Sequence, residues 1–129
     1  MAAAVALANL KIIEDEKLVD RVHDDTGPYL SDALGQLVDH PLVGEVRSFG
    51  MLAAIELVKE KAGPVLFDPI GEVGAMCRDH AIADGMMMRA VRDGMILSPP
   101  LTFGRDDIDQ AIKIATTALD KTASDLNIN

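Results

Sequence analysis

Met86-Met87-Met88-Arg89-Ala90-Val91-Arg92-Asp93-Gly94-Met95-Ile96-Leu97 reads as two short apolar runs joined by a turn. The Asp-Gly pair favours tight hairpins, so a strand is expected from Met86 to Val91 and a returning strand from Met95 to Leu97. Ser98-Pro99-Pro100-Leu101 must then leave the sheet, because consecutive prolines cannot donate to a ladder. A second strand pair is expected upstream, from Val43 to Ser48 and from Met51 to Val58, with Gly50 as the bend between them.

Helical patterns surround these pairs. Between them, Asp68 can cap a helix with Pro69 at its first position, Ile70, Val73 and Cys77 form its apolar stripe, and Gly85 stops it. After the second pair, Gly104 can open a helix with Asp106 and Asp107 in its first turn, where the free backbone N–H groups favour negative charge. Ile108, Ile112, Ala115 and Leu119 give its buried face, and the polar tail from Ser124 is expected to fray. Before the first pair, Leu18, Val22, Leu30, Leu34 and Leu37 repeat at helical spacing around Gly27-Pro28, which predicts one kinked helix or two abutting ones. The fold class expected is α+β: a two-layer domain over residues 1–129, with helices packed on a small, largely antiparallel sheet.

The opening run, Ala2 to Leu10, is rich in the best helix former and has no polar face over its first two turns. A helix apolar all round is normally covered, so residues 1–14 are expected to dock on something outside this chain. That run is followed at once by Glu14-Asp15-Glu16 and has no basic leader, unlike a secretion signal.

Composition bounds the chemistry. A chain of 129 residues with 49% hydrophobic content and a net charge of -9 can bury a core, and its acidity opposes nucleic acid and anionic membranes as partners. Cys77 is the single cysteine, which suits a buried thiol in a reducing, cytoplasmic compartment. His23, His40 and His80 lack ligand spacing, and no serine-nucleophile, zinc or phosphate-loop motif occurs, so no metal site is expected. Arg89 differs from the other charged residues because it sits inside an apolar strand. Its guanidinium must find water, an acid within the domain, or an anionic ligand.

Several segments, in order, carry a family resemblance: Leu10-Lys11-Ile12-Ile13-Glu14, Gly27-Pro28-Tyr29-Leu30, His40-Pro41-Leu42-Val43-Gly44-Glu45-Val46-Arg47 and Met51 to Leu57. Met88-Arg89-Ala90-Val91, Ser98-Pro99-Pro100-Leu101 and Arg105-Asp106-Asp107-Ile108-Asp109 complete the set. Together they resemble the C-terminal small domain of class III pyridoxal-phosphate aminotransferases, of the ω-amino acid:pyruvate transaminase kind. The resemblance implies a homodimeric parent enzyme passing an amino group from an amine or ω-amino acid to a keto acid such as pyruvate. It also implies that Arg89 grips the substrate carboxylate, a task suited to a planar guanidinium with two parallel N–H donors.

Three positions depart from the family pattern: Ser48 and Arg92 stand where glycine is common, and Gly104 where threonine is common. Arg92 is thus a weaker rival for the carboxylate. By the same resemblance the Schiff-base lysine and the phosphate donors belong to a large domain preceding this one, so no cofactor and no aminotransferase activity are expected of the isolated chain. The other reading of the residues is a free-standing α+β module that binds a protein or small ligand through its sheet face or its apolar helix.

Overall fold

The computed structural model describes residues 2–128. Met1 and Asn129, the outer ends of the expected opening helix and tail, lie outside the described residues. Helix α1 (Ala2–Asp15) buries none of its residues. Lys17, in the left-handed conformation, turns the chain into α2 (Leu18–Arg21), which runs through a π-helical turn at Val22–Thr26 into α3 (Gly27–Gly35) and a 3-10 turn at Gln36–Asp39. The kink expected at Gly27-Pro28 is this π-helical turn, with Pro28 in the first turn of α3 where a missing N–H costs no helical hydrogen bond.

Strands β1 (Val43–Phe49) and β2 (Leu52–Leu57) form the first antiparallel pair, with Gly50 at φ 55 in the two-residue turn and a register irregularity between Val43 and Glu45. Helix α4 (Glu72–Ala83) follows. Strands β3 (Arg89–Val91) and β4 (Gly94–Leu97) make the second pair, and α5 (Arg105–Asp125) ends the fold. The sheet order is β1-β2-β4-β3, antiparallel throughout, so β3 is an edge strand. Leu30, Leu34, Val43, Ile55, Leu57, Met95, Ile108 and Leu119 are fully or almost fully buried in one apolar cluster, where helices α3, α4 and α5 meet the sheet. The α+β class read from the sequence is the observed one.

Several local expectations are corrected. Helix α4 begins at Glu72 behind Gly71 at φ 94, not at Asp68-Pro69, and Ile70 is exposed. The β3–β4 loop is Arg92-Asp93, closed by the Val91–Gly94 pair, so Gly94 belongs to β4. Strand β3 is only three residues long, because the Met86 N–H is taken by the Ala81 carbonyl and the Gly85 N–H by Ile82, closing α4 in a Schellman motif with Gly85 at φ 93. The tail does not fray within the described residues: Asn127 takes φ 55, its N–H reaches the Ser124 carbonyl, and Ile128 bonds back to Ala123 and packs on the core.

Helix α5 opens as its sequence suggests, with the Gly104 N–H donated to the Asp107 carboxylate at 2.9 Å. Its buried face is rotated slightly from the one read off the sequence, with Ala111 buried and Ile112 only half-buried. Tyr29 donates to Asp109 at 2.6 Å and Arg105 pairs with Asp25, tying α5 to the kinked helix.

Candidate functional site

The sheet has one face covered by helices and one open. Strand pairing sets Arg47, Ala54, Ile96 and Arg89 in a single row across all four strands, with Glu45, Glu56, Gly94 and Val91 in the next row. Directly paired residues share a face, so both rows line the open side. The far end of that face carries Phe49, 88% exposed, and Leu52, 57% exposed. The result is an apolar strip with a guanidinium at each edge of the sheet.

Those two guanidinium groups are in different states. Arg47 is held by Glu45 at 2.9 Å and Glu56 at 3.3 Å. Arg89 is exposed and, among the described residues, has neither an ion pair nor a side-chain hydrogen bond. Its root is placed by the register with β4, Arg89 opposite Ile96 and Ala90 opposite Met95. An anchored stem with a free head can deliver two parallel N–H donors to a carboxylate arriving at the sheet edge. Arg92 also lacks an ion pair among the described residues, but it occupies the turn at φ 57, where no ladder holds its root.

What fixes this hairpin is Asp93. Its side chain is 3% exposed, and the carboxylate accepts the N–H groups of Gly71 and Gly74 at 2.9 Å each, capping α4 from across the fold. Its backbone carbonyl accepts the Leu57 N–H at 2.9 Å. Gly74 permits the approach, since a Cβ there would lie 2.2 Å from the Arg92 carbonyl oxygen and 2.9 Å from the Asp93 Cα. Sequence reasoning read Asp93 only as a turn residue. The Gly71-x-x-Gly74 spacing at a helix start was the available signal.

A groove of about 340 Å³ lies behind the hairpin, lined by Met86, Met88, Pro99, Phe103, Gln110 and Ile114, among others. Its one carboxylate, Asp107, is spent on the Gly104 cap, so the groove holds no acid–base pair. Among the described residues no cluster of three or more His, Cys, Asp or Glu could hold a metal, and no helix is long and apolar enough to cross a membrane. Lys11 pairs with Asp15, Lys121 with Asp84, and Lys61 donates to the Val38 carbonyl, while Lys17, Lys59 and Lys113 are exposed. None is in the desolvated setting that lets a lysine act as a nucleophile, so the residues of this chain do not by themselves fit a covalently held pyridoxal group. Cys77 is buried, and burial pushes its thiol up.

The family pattern described as aminotransferase class-III matches residues 1–119. The chain belongs to the class III aminotransferases. It is 48% identical over 124 residues to the putrescine–pyruvate aminotransferase of Pseudomonas aeruginosa, a match covering 96% of this chain and 27% of that one. A diaminobutyrate–2-oxoglutarate transaminase of Halomonas elongata is 36% identical, with 98% and 27% covered. Among solved structures, a transaminase with L-Ala superposes with a TM-score of 0.93 at 37% identity, covering 98% of this chain and 29% of that one. The ω-transaminase of Pseudomonas jessenii in complex with PMP gives a TM-score of 0.90 at 37% identity, with 95% and 27% covered. This class III aminotransferase chain therefore spans about a quarter of the length of the relatives it matches.

Proposed function

We propose that the chain is the C-terminal small domain of a pyridoxal-phosphate aminotransferase that passes an amino group from an amine or ω-amino acid to a keto acid such as pyruvate, with Arg89 reading the substrate carboxylate. The observation that carries this reading is the contrast within one row of the sheet: Arg47 is consumed by Glu45 and Glu56, while Arg89 has a fixed root and an uncommitted head. The names of the P. aeruginosa and P. jessenii relatives support the reaction class. Arg92 is the lesser candidate because it sits in the turn, outside the row of the open face that carries Arg89. When bound, the cofactor supplies the carrier for the amino group. The groups that hold it belong to a large domain outside this chain, and the parent is a homodimer. Helix α1, with Val5 66% and Leu7 68% exposed, is the surface on which that large domain docks.

Two measurements test the reading. The 129-residue chain, incubated with pyridoxal phosphate, an amine and pyruvate, is expected to give no product above free cofactor; faster turnover overturns the division of labour. In the reading frame that contains this chain, Arg89→Ala is expected to lower kcat/KM for the keto acid by about 10- to 100-fold, the loss of one or two charge-assisted hydrogen bonds. Use of an apolar amine should change far less. Equal losses for both substrates would make Arg89 a structural residue.

A further inference from the structure

We propose that Asp93 is a positioning residue for Arg89: it locks the β3–β4 turn onto the start of α4, so that the edge strand bearing the carboxylate reader has one fixed placement. The inference rests on the reading of Arg89 above and deepens it. A three-residue edge strand at the end of a sheet is weakly held by its own ladder, since it pairs on one side only. Here the turn that ends it is clamped from three directions. The Asp93 carboxylate takes the N–H groups of Gly71 and Gly74, and the Asp93 carbonyl takes the Leu57 N–H. The Arg92 backbone lies so close to α4 that only a glycine fits at position 74.

Each element of the clamp has a cause in the sequence. The first N–H groups of α4 lack helical partners, and no side chain at Gly71 can cap them. A buried carboxylate in turn needs N–H donors. The two requirements are met by each other, across a sequence separation of 22. The left-handed backbone of Arg92, unfavourable for a residue with a Cβ, persists because the clamp leaves the turn no alternative. Arg89 opens the three-residue strand that runs directly into Arg92, so any loosening of the turn is felt at its root.

The test uses two variants. Asp93→Asn keeps the shape of the side chain, but its amide group turns a donor toward one of the two N–H groups. Gly74→Ala attacks the same contact from the helix side and leaves the carboxylate in place. Circular dichroism first sets a temperature at which each variant is folded. In the chain itself, amide exchange at Gly71, Gly74 and Val91, whose N–H lies in the pair that closes the hairpin, is expected to quicken in both variants, while exchange in β1 and in the middle of α5 is unchanged. In the full reading frame, both are expected to lower kcat/KM for the keto acid by about tenfold, through KM and with little change for an apolar amine.

In an Arg89→Ala background the same substitutions should cause no further selective loss, because the group they position is gone. Two results overturn the inference while the Arg89 reading stands: Arg89→Ala is selective but the clamp variants affect keto acid and amine equally, or their selective loss persists undiminished without Arg89. An Arg89→Ala variant that loses both activities equally overturns the carboxylate reading, and the positioning role with it.

Discussion

Replacing Arg92 by glycine is expected to stabilise the chain. The two hairpins of the sheet each have a two-residue loop whose first central residue has positive φ: Gly50 at 55 in the β1–β2 turn and Arg92 at 57 in the β3–β4 turn. Asp93 is not among the residues with positive φ, so only the first position needs it, as in a type II′ turn, where glycine is the usual occupant. A residue with a Cβ loses about 1–2 kcal/mol in this region. Glycine adds about 0.5–1 kcal/mol of unfolded-chain entropy, which offsets part of the gain. The Arg92 side chain is exposed and has no ion pair among the described residues, so its removal subtracts nothing specific. The net expectation for Arg92→Gly is about 0.5–1 kcal/mol, or a rise in Tm of about 2–4 °C for a chain of this size. Urea unfolding followed by circular dichroism reads the free energy, and a thermal melt reads the shift. Arg92→Ala is the control, since it deletes the same side chain and keeps the Cβ; it should leave stability nearly unchanged. Stabilisation by alanine equal to that by glycine would refute the backbone argument and place the cost in the side chain.

Two further outcomes are expected. His40 accepts the Leu42 N–H at Nδ1, at 3.2 Å, while its Nε2 faces Asp120 at 3.4 Å. Burial lowers its pKa from 6.5, outweighing the pull of Asp120 upward, with Lys61 lowering it further. The folded chain thus binds fewer protons than the unfolded one just below that value, so the histidine's contribution to stability is present above 6.5 and is lost as pH falls toward the folded pKa. His40→Asn, compared with the parent chain on both sides of 6.5, should remove that part of the pH dependence; identical slopes would show that His40 is not the group responsible. Cys77, almost fully buried and with its thiol pushed up by burial, should resist iodoacetamide in the folded chain and react on unfolding in urea. Rapid labelling without denaturant would contradict the packing of α4.

The parts of the fold that were legible in the sequence are those decided by near neighbours. Gly50 between two apolar runs gave the first hairpin, Gly85 the end of α4, and Gly104 with Asp107 the start of α5. The misread parts were decided by residues far away in the chain. Asp68-Pro69 satisfies every local rule for a helix start, yet α4 takes its cap from Asp93, and that choice also moves the hairpin loop to Arg92-Asp93 despite the Asp-Gly signal. Asn127 and Ile128 looked like a fraying tail because a left-handed cap leaves little trace when asparagine stands where glycine is usual. For the site, Arg89 was visible as a charge within an apolar run. Its difference from Arg47 was not, since Glu56, which joins the neighbouring Glu45 in holding Arg47, is brought to it by strand register.

The brevity of β3 has a consequence for the molecule's behaviour in concentrated solution. An exposed sheet edge is a template on which a second chain can add a strand, and such growth is the usual start of β-aggregation. Here one edge offers three residues that include Arg89, and the opposite edge is interrupted by the irregularity after Val43 and carries Glu45 and Arg47. The β3 border is short, and the seven-residue β1 border is broken near its start and charged along its middle, both features that oppose pairing with a copy. A four-stranded sheet with one bare face thus carries, at both borders, features that work against sideways growth.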